Sequence, residues 1–251
     1  LPCLQRAVAL DPECDSWQSA LAEALREGGH YAEAIPAYQR ALELGAKTAG
    51  LCYGLAACLA RQGQTAAALQ KLQEAVQLTP EFPPAHALIG QIHLEQGRPQ
   101  EALTAYLTAC ALDPTQARSY YALGVTYAQL QEPVQALTAL QKALELQPQL
   151  HDACDALGQV HEALGDDAAA LAAYTRAVEL QPQNGSYALH AGIVAQRLGQ
   201  HETAQTLLEQ ALPLLPEHPA LHYHLGLAYQ QQEAWEKALT AFRKSVTLQP
   251  E

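Results

Sequence analysis

Ten histidines and six cysteines are the side chains from which this chain could build a metal centre or a nucleophile. The tightest histidine group is His218, His222 and His224, with the first two spaced i, i+4 across a helix start. A zinc site would need these rings to converge with a further ligand, and His222 falls at a recurrent packing position. They read as core and surface side chains, so no metal is expected. The cysteines, at positions 3, 14, 52, 58, 110 and 154, show no C-x-x-C or other ligand spacing. Cys52, Cys110 and Cys154 sit where a small apolar side chain is expected inside. Unpaired core thiols fit a reducing compartment, and a cytoplasmic location is the expectation. No G-x-S-x-G, H-E-x-x-H, P-loop or dinucleotide fingerprint is present. Ser, His and Asp are scattered without a shared context. The chain reads as a non-enzyme without a cofactor.

The elements that position these residues follow from a repeat of thirty-four residues, clearest in residues 117–150. Shifted by that period, Leu123-Gly124 becomes Leu157-Gly158 and Leu225-Gly226, and Ala136 becomes Ala102, Ala170 and Ala238. A fixed period of this size marks a solenoid. Counting Ala117 as position 1, Tyr120, Leu123, Gly124 and Tyr127 at positions 4, 7, 8 and 11 share one third of a helix circumference. Ala136, Leu140 and Ala143, at positions 20, 24 and 27, form the apolar face of a second helix. Small residues at 8, 20 and 27 are expected to let the two backbones approach closely. Position 15 is glycine in five of seven copies (Gly29, Gly63, Gly97, Gly165, Gly199), the residue that a left-handed helix C-cap favours. Pro99 and Pro133 suit the openings of second helices. Position 32 is proline in every copy but the first, where Ala46 stands, and it stops the second helix.

These residues resemble the tetratricopeptide repeat family, whose pattern runs W-x2-L-G-x2-Y, then A-x3-F, then P. The resemblance covers the whole chain: 1–14 as the end of a partial repeat, then seven repeats at 15–48, 49–82, 83–116, 117–150, 151–184, 185–218 and 219–251. It implies an all-α fold, an α-solenoid of antiparallel helix pairs in one continuous right-handed superhelical array. Position 4 is loose (Gln18, Cys52, His86, Tyr120, Cys154, Ala188, His222), which is expected to soften inter-helix packing. Pro36 lies in the first turns of its second helix, where it can bend the chain. The sequon Asn184-Gly185-Ser186 reads as an inter-repeat turn. The start inside a repeat, the stop at a repeat's end and the lack of Met read as a fragment or a trimmed chain.

Fourteen basic and 26 acidic residues give a formal charge of −12, which argues against a nucleic-acid surface. No apolar stretch is long enough to cross a membrane. In 151–184, Asp152, Asp155, Glu162, Asp166, Asp167 and Glu179 face only Arg176. They read as a solvated acidic face; Asp152, Asp155 and Glu162, on one side of the first helix, also fit a docking patch for a basic segment. The family resemblance places a partner-binding groove at positions 2, 5, 9, 12 and 13. There the chain carries Tyr53, Leu94, Arg118, Tyr121, Val125, Leu189, Ile193, Tyr223 and Leu227. Its single Asn, Asn184, falls in a turn, so neither the family's Lys/Asn carboxylate clamp nor its Asn ladder is expected. The function expected is a scaffold that holds a peptide or helix of a partner protein, with Tyr121, Tyr223, Ile193 and Leu227 carrying most of the affinity. The alternative is a regulatory or substrate-recruiting arm of a larger enzyme such as a transferase. A third reading is self-association through the uncapped last helix, with Ala238, Phe242 and Val246 exposed to a second copy.

Overall fold

The computed structural model describes residues 1–249; Pro250 and Glu251, which close the 219–251 repeat, lie outside the described residues. The described residues form fifteen α-helices and no strand, in two compact units, Leu1–Ala122 and Leu123–Glu251. In the first unit α1 (Pro2–Leu10) precedes three helix pairs: α2 (Asp15–Glu27) with α3 (Tyr31–Glu43), α4 (Ala49–Arg61) with α5 (Thr65–Leu78), and α6 (Pro83–Glu95) with α7 (Pro99–Leu112). The division falls inside α8 (Ala117–Gln129). The second unit continues with α9 (Pro133–Leu146). It is followed by the pairs α10 (His151–Ala163) and α11 (Asp167–Leu180), α12 (Gly185–Arg197) and α13 (His201–Ala211), and α14 (Pro219–Gln231) and α15 (Trp235–Leu248). Within each unit a helix packs on its neighbours in sequence, and first helices also touch one another, α2 on α4, α4 on α6 and α12 on α14. Each unit is thus an α-solenoid of helix pairs.

The pairs form because each helix buries an apolar stripe against its partner. The alanine at position 20 is buried in all seven copies, from Ala34 to Ala238. At position 8 the contact is a side chain rather than only a facing backbone. A methyl group added to Gly158 would meet Tyr174 Cε1 at 2.5 Å, whereas at Gly192 it would meet Leu208 Cγ at 2.7 Å and the Ala204 carbonyl oxygen at 3.4 Å. The residue at position 24, ring or leucine, therefore lies across the glycine of its partner helix. The first helices end in a left-handed residue: Gly29, Gly63, Gly97, Gly165 and Gly199 have φ between 69° and 78°. Where glycine is missing, Gln131 and Glu233 take the same conformation at φ 59°, at a steric cost of about 1 kcal/mol.

Pro99 and Pro133 are the first residues of α7 and α9, and α3 continues as one helix through Pro36. Thr48, Asp166 and Asn184 cap α4, α11 and α12 by accepting backbone N–H bonds. Asn184 thus acts as a helix cap at the sequon. Second helix α13 is shorter than α9, α11 and α15 because Pro213, without an N–H, follows its end. The expected softening at position 4 is corrected in three places: Gln18 Nε2, His86 Nε2 and His222 Nε2 donate to the carbonyls of Pro12, Pro80 and Pro216, at 3.1, 3.0 and 2.8 Å. A polar residue there ties its helix to the proline that ended the previous one.

Candidate functional site

In the first unit the face made by first helices carries two neighbouring cavities. One, of about 570 Å³, is walled by Tyr53, Phe82, Pro83, Pro84, Ala87, Leu88, Tyr106 and Ala122, with Gln91, Asp113, Gln116, Arg118 and Ser119 supplying polar groups. Pro83 opens α6 and disfavours a helical conformation for the residue before it, and Phe82 has φ −123° and ψ 86°. Its ring meets Tyr53 edge to face, with centroids 5.6 Å apart and planes at 86°, a favoured aromatic arrangement. The second cavity, of about 380 Å³, shares Tyr53, Leu88 and Gln91 and adds Arg26, Tyr31, Ala57, Ala60, Arg61, Ile92 and Glu95.

The charges here are unequally committed. Arg26 Nη2 donates to Glu23 Oε1 at 2.6 Å, and the Tyr38 hydroxyl donates to the same carboxylate. These contacts, Arg26 first, hold Glu23 below the usual carboxylate range. Burial, with Glu23 beside it, pushes the Tyr38 hydroxyl up. Arg61 and Arg118 are exposed and make no ion pair among the described residues. Two of the expected groove residues, Tyr53 and Arg118, therefore line one cavity. Leu94 and Tyr121 are half-buried and outside its wall.

In the second unit the first-helix face is a row of polar links. The Tyr187 hydroxyl donates to Asp152 Oδ1 at 2.7 Å, and His151 Nδ1 lies 3.0 Å from that hydroxyl. His190 Nδ1–H donates to Asp155 Oδ1 at 2.8 Å, while Gln159 Nε2 holds Oδ2. Arg197 grips Glu162 Oε1 and Asp167 Oδ1, both at 2.6 Å, and Glu162 also accepts from the Tyr174 hydroxyl. One pair further on, His224 Nδ1–H donates to Gln196 Oε1 at 2.7 Å, and Gln196 Nε2 donates to the His224 carbonyl at 2.8 Å. The expectation that these acids face only Arg176 is corrected. Arg176 pairs with Glu179, and the next first helix, α12, supplies Tyr187, His190 and Arg197. The carboxylates Asp152, Asp155 and Glu162 join successive first helices. Asp155 raises the pKa of His190, Arg197 lowers that of Asp167, and burial followed by the Arg197 charge lowers that of His224.

The aliphatic residues expected at this face are placed differently from one another. Leu189 is only 4% exposed, in a core cluster with Leu208, Leu221 and Leu225, because α14 and α13 close over it, so it offers no surface to a partner. Ile193 packs partly against the same cluster, and Val125 and Leu227 are half-buried. Tyr223 is 48% exposed and lies edge to face on His224, with Phe242 6.0 Å away. On α15, Ala238 is buried, Phe242 half-buried and Val246 exposed. Cys52, Cys58, Cys110 and Cys154 are buried thiols; burial pushes Cys58 and Cys110 up to about 11. No group of three potential metal ligands exists among the described residues, and none of their helices is long and apolar enough to cross a membrane.

Stacked helix pairs with a small-residue seam and a first-helix face rich in interaction side chains define a helical-repeat scaffold. Models described as TPR repeat or tetratricopeptide repeat match residues 1–49, 90–131, 117–150, 151–184 and 186–251. Residues 27–109 match the model of the anaphase-promoting complex, cyclosome, subunit 3. The chain belongs to the tetratricopeptide repeat family. Among solved structures it is similar to YrrB, described as a TPR protein with an unusual peptide-binding site, at 25% identity and a TM-score of 0.63, covering 72% of this chain and 93% of that one. MamA aligns at 25% identity and a TM-score of 0.60, over 64% of this chain and 94% of that one. The pilF protein of Pseudomonas aeruginosa shares the fold at 21% identity and a TM-score of 0.73, over 88% and 96%. A search of curated proteins returned no match. The repeats and these likenesses support a protein-interaction scaffold, a role for which this fold is typically non-catalytic.

Proposed function

We propose that the first-helix face of the Leu1–Ala122 unit is a groove that holds a segment of a partner protein, with Tyr53 and Arg118 as contact residues. The observation that carries this reading is the cavity of about 570 Å³, whose walls are aromatic and aliphatic and whose rim is polar. A concave apolar site with a few polar groups is the usual form of a binding pocket, and Tyr and Arg are the residues most often found as interface anchors. The likeness to YrrB, a TPR protein with a peptide-binding site, supports the same assignment. The groove positions offer neither a lysine–asparagine pair for a terminal carboxylate nor an asparagine ladder. In the second unit, taken by itself, Tyr223 and Leu227 are candidate contact residues. The carboxylates Asp152, Asp155 and Glu162, held by their neighbours, brace the helices.

Ala87 lies on the cavity wall and is half-buried, so Ala87→Trp fills the space without removing a core contact. A pull-down from native lysate should lose its prey with Ala87→Trp or Tyr53→Ala, while circular dichroism shows unchanged helix content. Retention of the same prey by both folded variants would place the binding face elsewhere.

A further inference from the structure

Three repeats carry a tyrosine at position 24: Tyr38, Tyr106 and Tyr174. In two of them a first-helix carboxylate takes the hydroxyl proton, since Tyr38 donates to Glu23 at position 9 and Tyr174 to Glu162 at position 12. In the third, positions 9 and 12 are Gln91 and Leu94. Gln91 Nε2 is turned to Glu95, one position on, and donates to its Oε1 at 2.9 Å. Among the described residues nothing accepts the Tyr106 proton. The Tyr106 ring lies against Gly90, where an added methyl group would meet it at 3.0 Å, and only 4% of the residue is exposed. It lines the cavity of about 570 Å³, as does Ser119, which is 8% exposed. Burial pushes the Tyr106 hydroxyl up, so it keeps its proton and has one to donate. The charged groups on the same wall are one of each sign, Arg118 and Asp113. The cavity is thus neutral, and it complements a segment without side-chain charge. Resting on the groove reading above, we propose that this cavity holds a proline-rich segment in the polyproline II conformation, with the Tyr106 hydroxyl donating to one of its backbone carbonyls.

A buried donor discriminates among the conformations that a segment can bring. A helix has its carbonyls bonded internally. A strand brings an N–H with every carbonyl, whereas Tyr106 offers a proton and the Arg118 guanidinium has no acceptor at all. The acceptor Asp113 Oδ1 is already held by the Thr115 N–H and hydroxyl, at 3.0 and 2.6 Å. Polyproline II leaves its carbonyls free, and proline removes the N–H that would go unmet. Its rings also suit the walls. Tyr53 and Phe82 stand edge to face at 86°, with Pro83 and Pro84 beside them, an aromatic surface of the kind on which such segments dock. The conformation is set before binding, so little chain entropy is lost on docking.

The test uses the full chain and fluorescein-labelled, C-terminally amidated peptides of equal length in fluorescence polarisation. One peptide is made of proline and alanine, a second of glycine and serine, a third of alternating valine and threonine. The proline peptide should bind about tenfold more tightly than either of the others. Ala87→Trp, which fills the cavity, should abolish that binding, and Tyr53→Ala is a second variant of the same wall. Tyr106→Phe keeps the ring against Gly90 and should weaken binding about two- to tenfold, the worth of one hydrogen bond. Tyr174→Phe, whose hydroxyl is taken by Glu162, should leave it unchanged, and circular dichroism checks that each variant folds. A proline peptide that binds no more tightly than the others overturns the polyproline assignment. The groove reading then stands if a lysate prey is still lost with Ala87→Trp, and both fall if that prey is kept. A proline preference that survives Tyr106→Phe, or drops equally with Tyr174→Phe, overturns the assignment of the Tyr106 hydroxyl.

Discussion

At the scale of single residues, two glycines in first helices separate packing from propensity. Gly50 in α4 has open space around a would-be Cβ, whereas at Gly158 in α10 that atom would strike the Tyr174 ring. Gly50→Ala should raise stability by up to about 1 kcal/mol through helix propensity alone. Gly158→Ala should lower it by about 1–3 kcal/mol, the usual range for overpacking, and should loosen the Tyr174–Glu162 hydrogen bond. Urea denaturation of both variants reads the difference, and equal effects would show that the ring does not lie across the helix. Two histidines should respond to pH in opposite senses. The hydrogen bond to Asp155 raises His190 in the folded state. The stability it adds is complete below the unfolded value near 6.5 and is lost as pH rises through the folded value. Burial and Arg197 lower His224, so the stability it adds is complete above about 6.5 and is lost as pH falls through the folded value. Ring-proton NMR titration should place His190 above and His224 below the ordinary histidine value. Asp155→Asn should bring His190 down while leaving His224 in place.

At the scale of helices, what could be read in the sequence was what recurs within thirty-four residues: the apolar stripes, the alanines at position 20 and the glycine C-caps. These depend on local sterics and a fixed helical period. The links between successive first helices do not stand out in the sequence, because each joins residues of different repeats and neither partner is unusual alone. A signal did exist. Asp152, Asp155 and Glu162 stand at positions 2, 5 and 12, and their partners Tyr187, His190 and Arg197 stand thirty-five residues later, at positions 3, 6 and 13. A search for complementary side chains at one period plus one would have found all three. Leu189 is the opposite case: its position number puts it on the groove side, but its burial under α13 and α14 depends on the size of neighbouring side chains. The cavities of the first unit were only partly legible, since Phe82 belongs to the cap of α6 rather than to a groove position. The links make a testable claim about α10 and α12. Arg197→Ala should cost about 1 kcal/mol globally, as a partly exposed ion pair, yet amide exchange at the end of α10 and the start of α11 should accelerate. A double-mutant cycle with Asp167→Ala should show coupling of a few tenths of a kcal/mol that shrinks in high salt. Zero coupling at low salt would make the Arg197 contacts incidental.

At the scale of the molecule, the described helices of the second unit from α10 onward pack on their neighbours in sequence, and α12 packs also on α14. In such a chain stability is close to a sum of repeat and nearest-neighbour terms, and no distant contact is needed for a section to fold. Residues 151–251 contain three complete helix pairs, the core cluster around Leu189, Leu208, Leu221 and Leu225, and every polar link among α10, α12 and α14. Expressed alone, this fragment should be helical and should unfold cooperatively. Its dependence on denaturant should be roughly two fifths that of the full chain, since the slope follows the surface exposed on unfolding. It should also be less stable, because the face of α10 that meets α9 becomes exposed. Adding residues 117–150 should restore stability more than an equal length of unrelated helix, since only the native segment completes that face. A fragment without cooperative unfolding would show that the stack depends on contacts beyond nearest neighbours. A fragment as stable as the whole would show that the α9–α10 junction contributes nothing.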